Sequence, residues 1–437
     1  MPFKINLLSQ SLHNNVGKIV IVHGWVHSYR KMGGIAFLVV RDGFGTIQAV
    51  VDSTPTLEIC ESLTRESVVT VTGLLVAQKN VAQGAEIQAQ SIECIVAAEP
   101  PPIEIDREKT FRKIDLDILL KNRAMSLRNL NVRAIFKIQT AICKLFRDFL
   151  DSQGFTEIHS PKIVKMGAEG GSEVFKIKYF DDLAYLTQSP QLYKQIMIGV
   201  FEKVYEVGHV YRAEEHNTSR HLNEYVSLDA EFGFIESEQD IIVLHQELLK
   251  YIFDGLQERC KFELELLRVE LPRFTELPQI KLYDAISIVN NEFNYVCTKP
   301  GDLDPEAERL ICKYAKKRYG VELVYITRYP VNKRPFYTMP VSLEDSQLTR
   351  SFDVLFRGLE ITTGGQRIHD YQQIKNNITK FGYSEDDFQG YLDCFRFGMP
   401  PHGGFGMGLE RLTKQICQLD NIRSATLFPR DRNRIVP

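Results

Sequence analysis

VYRAEEHNTSRHLNEYVSLDAEFGF, residues 210–234, reads as two strand-like stretches joined by a polar loop rich in Asn, Thr, Arg and His. The two-residue period of a strand places Arg212 and Glu214 on one face, and the returning stretch carries Asp229 and Glu231. A guanidinium beside a carboxylate is commonly a structural ion pair, so this segment alone decides no chemistry. A second segment, GGFGMGLER at 403–411, has glycines at 404, 406 and 408 followed by Glu410 and Arg411. Glycine at every second position of an extended segment lets a flat group approach the backbone, since no Cβ intervenes. An arginine just beyond can reach a phosphate with its fork of donors. The chain has neither the G-x-x-x-x-G-K-S/T phosphate loop nor G-x-G-x-x-G, so Walker-type and Rossmann nucleotide units are unsupported.

Outward from these segments, strands and helices alternate without βαβ regularity, which predicts an α+β domain with an antiparallel sheet over 130–437. Its first helix is expected from Leu130 to Leu150, where Ile135, Ile138, Ile142, Leu145 and Phe149 recur at intervals of three and four. It should stop at Asp151-Ser152-Gln153-Gly154, before a strand ending in Pro161. Upstream lie five β-rich stretches, 18–30, 35–42, 45–52, 67–77 and 85–95, with a helical stretch near 56–65. Five strands with a helix between the third and fourth predict an all-β OB-fold barrel over 1–105, a nucleic-acid-binding shape, although periodicity alone leaves an SH3-like barrel open. Pro100-Pro101-Pro102 and the charged stretch Asp106–Arg128, with seven Lys/Arg against four Asp/Glu, read as a linker over 106–129.

Composition narrows the class. The 437 residues are 44% hydrophobic and 25% charged, as in ordinary folded chains. Fifty-three Lys and Arg against 56 Asp and Glu give −3, so any nucleic-acid contact must come from local patches. The eight cysteines are nowhere closer than 15 positions, which excludes C-x-x-C zinc and redox pairs and predicts reduced thiols. The longest nearly apolar run, Val68–Ala77, is too short to cross a bilayer, and Met1–Ser11 lacks the basic-then-apolar layout of a secretory signal. A reducing, cytoplasmic setting with no membrane partner is expected.

Taken together, the segments resemble the class II aminoacyl-tRNA synthetases, and within them the aspartyl-tRNA synthetases of the archaeal and eukaryotic type. Three signatures occur in order: the helix-to-strand segment ending in Pro161, Arg-x-Glu with its returning strand at 212–232, and Gly-Met-Gly-Leu-Glu-Arg ending at Arg411. Between and beyond them stand EGGSE (169–173), QSPQLYKQ (188–195), GLEITTGGQR (358–367) and LFPRDR (427–432). The resemblance implies an ATP-dependent aspartate–tRNA ligase that forms aspartyl-adenylate and passes the aminoacyl group to the 3′ end of tRNA(Asp). It implies catalytic roles for Arg212, Arg411 and Glu360. ATP would lie against Arg212, Ala213, Glu214, Arg220, His221, Leu222, Glu360, Gly408, Leu409, Glu410 and Arg411. Aspartate would meet Glu169, Gln191, Lys194, Arg212, Asp229, Thr363 and Arg367, with Lys194 and Arg367 aimed at its β-carboxylate. Mg²⁺ would be held by Glu360 and by Thr363, where the family more often has Ser.

In the barrel, the resemblance assigns Phe37, Gln48 and Glu86 to the central anticodon base: one ring to stack on and two polar side chains for the base edge. The helix from 130 corresponds to the family's dimer-forming signature and implies a homodimer. Strictly discriminating archaeal-type enzymes carry a Trp and a Lys where this chain has His27 and Ala82. A smaller ring and a missing cation imply that tRNA(Asn) is charged as well as tRNA(Asp). Other readings are a strictly discriminating enzyme, an RNA-binding paralogue without activity, and an asparagine synthetase on the same catalytic fold. Arg212, Glu360 and Arg411 together count against the second, and the barrel counts against the third.

Overall fold

The computed structural model describes residues 3–7, 12–81, 84–165, 173–215, 218–342 and 347–437. The chain divides into two compact units, Met1–Asn129 and Leu130–Pro437. In the first, strands β1 (Phe3–Lys4), β2 (Ile19–Met32), β3 (Ile35–Arg41), β4 (Thr46–Val51), β5 (Val68–Ala77) and β6 (Ala85–Val96) run in the order β1-β2-β3-β4-β6-β5. A further pairing of β5 with β2 closes the barrel, and the helix Thr54–Ser62 lies between β4 and β5. This closed order is that of an OB-fold and removes the SH3-like alternative. Strand alternation fills the interior with Val20, Val22, Leu38, Val40, Ile47, Ala49 and Ile87. The odd positions of β3, the even positions of β4 and, in the first half of β6, Glu86 and Gln88 therefore face outward.

The stretch 106–129 forms three short helices, Glu108–Phe111, Leu116–Lys121 and Arg123–Ser126, and groups with the barrel unit. Within this linker stretch Phe111 and Leu120 are buried, and Asn129 Nδ2 donates to the Ile105 carbonyl at 2.9 Å.

The second unit holds a small sheet of β8 (Ile163–Val164), β9 (Lys176–Tyr179) and β10 (Asp182–Leu186), and a large one. The large sheet contains β7 (Thr156–Glu157), β11 (Lys203–Tyr211), β12 (Glu224–Gly233), β13 (Gln279–Lys281), β14 (Leu323–Thr327), β15 (Ser351–Phe356), β16 (Leu359–Arg367) and β17 (His402–Gly408). Its order is β13-β14-β15-β16-β17-β12-β11-β7. The sheet is mixed rather than wholly antiparallel: β13–β14 and β7–β11, at its two edges, are parallel. Both edge pairs are joined through helices, as a parallel crossover requires.

The helix Leu130–Ser152 buries Ile135, Ile138, Ile142, Leu145 and Phe149, the positions its spacing predicts. The helix Glu238–Arg259 starts at a capping box, Ser237 with Asp240, and buries Leu248, Leu249, Ile252 and Leu256. Both join one core with Leu228, Ala230, Phe405 and Met407 of the sheet. By alternation, Ser227, Asp229 and Glu231 of β12 and Gly404, Gly406 and Gly408 of β17 face the opposite side. The strand expected up to Pro161 is only Thr156–Glu157.

Candidate active site

The far face of the large sheet floors a cavity of about 660 Å³, lined from β12, β16, β17 and the helices that begin at Gln191 and Leu409. At its base sits a buried set of opposite charges. Lys194 Nζ lies 3.0 Å from Asp229 Oδ1, 3.2 Å from Glu231 Oε2 and 3.1 Å from the Phe405 carbonyl. Arg367 donates through Nε to Glu231 Oε1 at 2.9 Å and through Nη2 to Gln191 Oε1 at 3.3 Å and the Gly404 carbonyl at 3.1 Å. Burial works to raise the Glu231 carboxyl, but Arg367 and Lys194 outweigh it and hold it below the ordinary carboxylate range.

Along the rest of the cavity, three arginines each have a carboxylate partner. Arg212 Nη1 is 3.9 Å from Glu214 Oε1, Arg220 pairs with Glu308 from the helix Pro305–Tyr319, and Arg411 Nη1 is 3.3 Å from Glu360 Oε1. Burial raises the Glu308 carboxyl to about 7 against the pull of Arg220. His221 Nδ1 is 2.6 Å from Thr218 Oγ1. β11 ends at Tyr211, so Arg212 and Glu214 are not on a strand face as their spacing suggested. Asn223 Nδ2 donates to the carbonyls of both, at 2.7 and 3.0 Å, and the Asn223 carbonyl accepts from the Arg212 amide at 2.9 Å.

A bulge decides the next constellation. Val354 pairs with Thr362 and Leu355 with Glu360, which leaves Ile361 as an extra residue in β16. The inserted residue shifts the alternation, so Glu360 and Thr363 share the cavity face. Thr363 Oγ1 donates to Glu360 Oε1 at 3.0 Å. Burial would raise the Glu360 carboxyl, yet Arg411 and Arg334 hold it low. Beside it, burial lifts Asp353 to about 6 against the pull of Arg334, 2.8 Å away, with the Glu360 charge adding to the rise.

At Gly404 the missing side chain has a cause other than the approach of a flat group. A Cβ at Gly404 would lie 2.0 Å from the Ala230 carbonyl and 2.5 Å from Glu231 Oε2, so this glycine makes room for β12 and its carboxylate. Gly406 and Gly408 do line the cavity.

Of the residues singled out from sequence, Gln191, Lys194, Arg212, Glu214, Arg220, His221, Leu222, Asp229, Glu360, Thr363, Arg367, Gly408, Glu410 and Arg411 all line this one cavity. Glu410 is buried beneath it, where both carboxylate oxygens accept from the Val226 amide and burial lifts its carboxyl to about 8. Two others do not line it. Leu409 packs into the core, and the Ala213 amide donates to the Glu173 carbonyl. Glu169 and Ala82 lie outside the described residues.

On the barrel, Phe37 is half-buried on the outer face with the Arg30 guanidinium 5.3 Å from its ring centroid. Gln48 Nε2 donates to Glu86 Oε2 at 3.0 Å from the adjoining strands β4 and β6. Phe37 is therefore not part of the barrel core. His27 sits where β2 bulges against β3, between Val26 and Ser28, and burial followed by the Arg41 charge lowers its pKa.

A model of the tRNA synthetases of class II (D, K and N) matches residues 115–432. The chain is a class II tRNA synthetase. A second model, the OB-fold nucleic acid binding domain, matches residues 20–95 of the synthetase, the barrel strands. The synthetase is 46% identical to aspartate–tRNA(Asp/Asn) ligase of Thermus thermophilus over 99% of its own length and 100% of that protein. It is 40% identical to aspartate–tRNA(Asp) ligase of Pyrococcus abyssi, over 96% of its own length and 97% of that protein. Its fold superposes on asparaginyl-tRNA synthetase from Pyrococcus horikoshii complexed with asparaginyl-adenylate, with a TM-score of 0.91 at 32% identity and complete coverage of both chains.

The sequence reading of the synthetase left Glu231 and Glu308 without a role, although each pairs a cation of the cavity. Glu231 could have been found from its position two residues after Asp229. Glu308 had no such signal, because the contact joins residues 88 positions apart.

Proposed function

We propose that the synthetase activates L-aspartate with ATP and transfers it to tRNA(Asp) and also to tRNA(Asn). The observation that carries the amino-acid assignment is the buried pair Lys194 and Arg367 at the base of the cavity. Both side chains only donate, so a substrate carboxylate satisfies them, whereas the amide nitrogen of asparagine would turn further donors toward them. The full-length likeness to two aspartate–tRNA ligases supports the same choice.

In this reading Arg212 clamps the α-phosphate and the attacking carboxylate, Arg411 takes the γ-phosphate end of ATP, and Arg220 leaves Glu308 for the phosphates. Adenylate formation then proceeds by positioning and charge stabilisation rather than covalent catalysis. The donor set at Glu360 and Thr363 suits Mg²⁺: a carboxylate held ionised beside a hydroxyl, both hard oxygens, with substrate phosphates completing the shell. Among the described residues no three His, Cys, Asp or Glu side chains gather as a self-sufficient metal site, in keeping with an ion that arrives with ATP. When bound, Mg²⁺ supplies positive charge to the polyphosphate. Glu169 would meet the substrate ammonium. We assign a homodimer built on the helix Leu130–Ser152 and a cytoplasmic location. No helix among the described residues is long and apolar enough to cross a membrane.

On the barrel, Phe37 would stack on the central anticodon base while Gln48 and Glu86 read its edge. His27 and Ala82 leave the third base weakly read, and the greater identity to the Asp/Asn ligase supports charging of both tRNAs. ATP–pyrophosphate exchange with L-aspartate, L-asparagine and L-lysine in turn tests the amino acid; exchange driven by asparagine or lysine would overturn it. Aminoacylation of both purified tRNAs tests the second half. A preference for tRNA(Asp) above about a thousandfold, some 4 kcal/mol, would return the enzyme to the strictly discriminating class.

A further inference from the structure

Behind the amino-acid pocket runs a chain of hydrogen bonds whose direction is set from one end. His402, at the start of β17, is fully buried, and its Nδ1 lies 2.9 Å from the Pro400 carbonyl. A carbonyl only accepts, so Nδ1 carries a hydrogen. Nε2 then faces the Gln195 amide nitrogen at 2.9 Å and must accept. With its NH₂ turned to His402, Gln195 presents Oε1 to two donors, Gln191 Nε2 at 3.0 Å and the Tyr391 hydroxyl at 3.1 Å. Gln191 in turn presents Oε1 to Arg367 Nη2 at 3.3 Å. Every amide in the chain therefore has one orientation that satisfies all its neighbours.

We propose that His402, as the neutral imidazole protonated on Nδ1, is a positioning residue for amino-acid selection, acting through Gln195 and Gln191 to fix the guanidinium of Arg367. The inference rests on the assignment of Arg367 to the substrate carboxylate. A doubly protonated His402 would push a second hydrogen at the Gln195 amide. Gln195 would have to flip, and its NH₂ would then meet the Gln191 NH₂ and the Tyr391 hydroxyl. If Gln191 flipped in response, it would aim its own NH₂ at Arg367. Burial favours the neutral ring and lowers His402 to about 4, against the raising effects of Glu231 and the Pro400 carbonyl, with Arg367 and His369 lowering it further. Tyr391, buried and held by the same Gln195 oxygen, braces the chain from a second direction.

The test compares His402→Leu, which removes the acceptor, with His402→Gln, which restores a side-chain oxygen near the Nε2 position. His402→Leu should raise the KM for aspartate about tenfold in ATP–pyrophosphate exchange, leave the KM for ATP within twofold, and narrow the preference for aspartate over asparagine. His402→Gln should recover most of the loss. Equal changes in both KM values, or no recovery in His402→Gln, would reduce His402 to a packing residue and overturn the inference. If His402→Leu does not fold, the isosteric Tyr391→Phe carries the test: a two- to fivefold rise confined to the amino-acid KM supports the relay, and an unchanged KM overturns it. The wild-type enzyme separates the two questions. If it exchanges with another amino acid, the aspartate reading falls, and the same KM comparison made with that amino acid still decides the relay.

Discussion

Thr363 Oγ1 donates to Glu360 Oε1 at 3.0 Å although residues three apart on a regular strand face opposite sides. The bulge at Ile361 brings them together. If this pair holds Mg²⁺ with the ATP phosphates, Thr363→Val should raise the Mg²⁺ concentration for half-maximal pyrophosphate exchange about tenfold, equivalent to some 1.4 kcal/mol. Thr363→Ser should behave as wild type. An unchanged Mg²⁺ requirement in Thr363→Val would remove the hydroxyl from the metal site.

Lys194 neutralises two buried carboxylates, so its removal has two consequences. Lys194→Ala strips Asp229 of its ammonium partner and leaves Glu231 paired with Arg367, and breaking a buried pair from one side costs on the order of 3–5 kcal/mol. A fall in the unfolding midpoint should accompany a KM for aspartate raised more than tenfold. Calorimetry and exchange kinetics read the two separately, and a KM unmoved by the substitution would end the role of Lys194 in recognition.

Arg411 offers the opposite case, since its side chain is partly exposed and bonded to Glu360 at the cavity wall. Arg411→Ala should cut exchange by about a hundredfold or more, the usual cost of removing one electrostatic donor from a transition state. Thermal unfolding should stay within a few degrees of wild type. Near-normal exchange in a pure preparation would refute the role given to the Gly-Met-Gly-Leu-Glu-Arg segment.

Phe37 stands on the outer face of the barrel, where its ring supports no core. Phe37→Ala should lower aminoacylation efficiency by about 1–3 kcal/mol, the worth of one base stack, and leave pyrophosphate exchange intact. Parallel loss in both assays would point to damage of the fold instead.

His245 is buried with Nδ1 at 2.8 Å from the Tyr325 hydroxyl and Nε2 at 3.1 Å from Thr362 Oγ1, and burial lowers its pKa to about 3. An imidazole depressed from 6.5 takes up its proton in the unfolded chain first. Its contribution to stability is complete above pH 6.5 and is lost as the pH falls from there toward 3, by about 1.4 kcal/mol per pH unit. Denaturant midpoints of wild type and His245→Gln between pH 7 and 4.5 measure this: the variant should show the shallower decline, and identical slopes would show that His245 is not buried neutral.

Much was determined by the sequence alone. Alternation marks the barrel strands, the three- and four-residue spacing marks the helix that begins at Leu130, and the order of signatures points to the catalytic class. These features are local, because strand and helix periods are written into consecutive residues. The tertiary structure decided what depends on distant partners. It turned Glu360 onto the face of Thr363 through one extra residue in β16, assigned the room at Gly404 to the Glu231 carboxylate, and paired Arg220 with Glu308. It also gave 106–129 three short helices that group with the barrel unit and bury Phe111 and Leu120. None of these follows from neighbouring residues, since a bulge, a buried ion pair and the burial of a side chain are each fixed by what the rest of the chain places opposite.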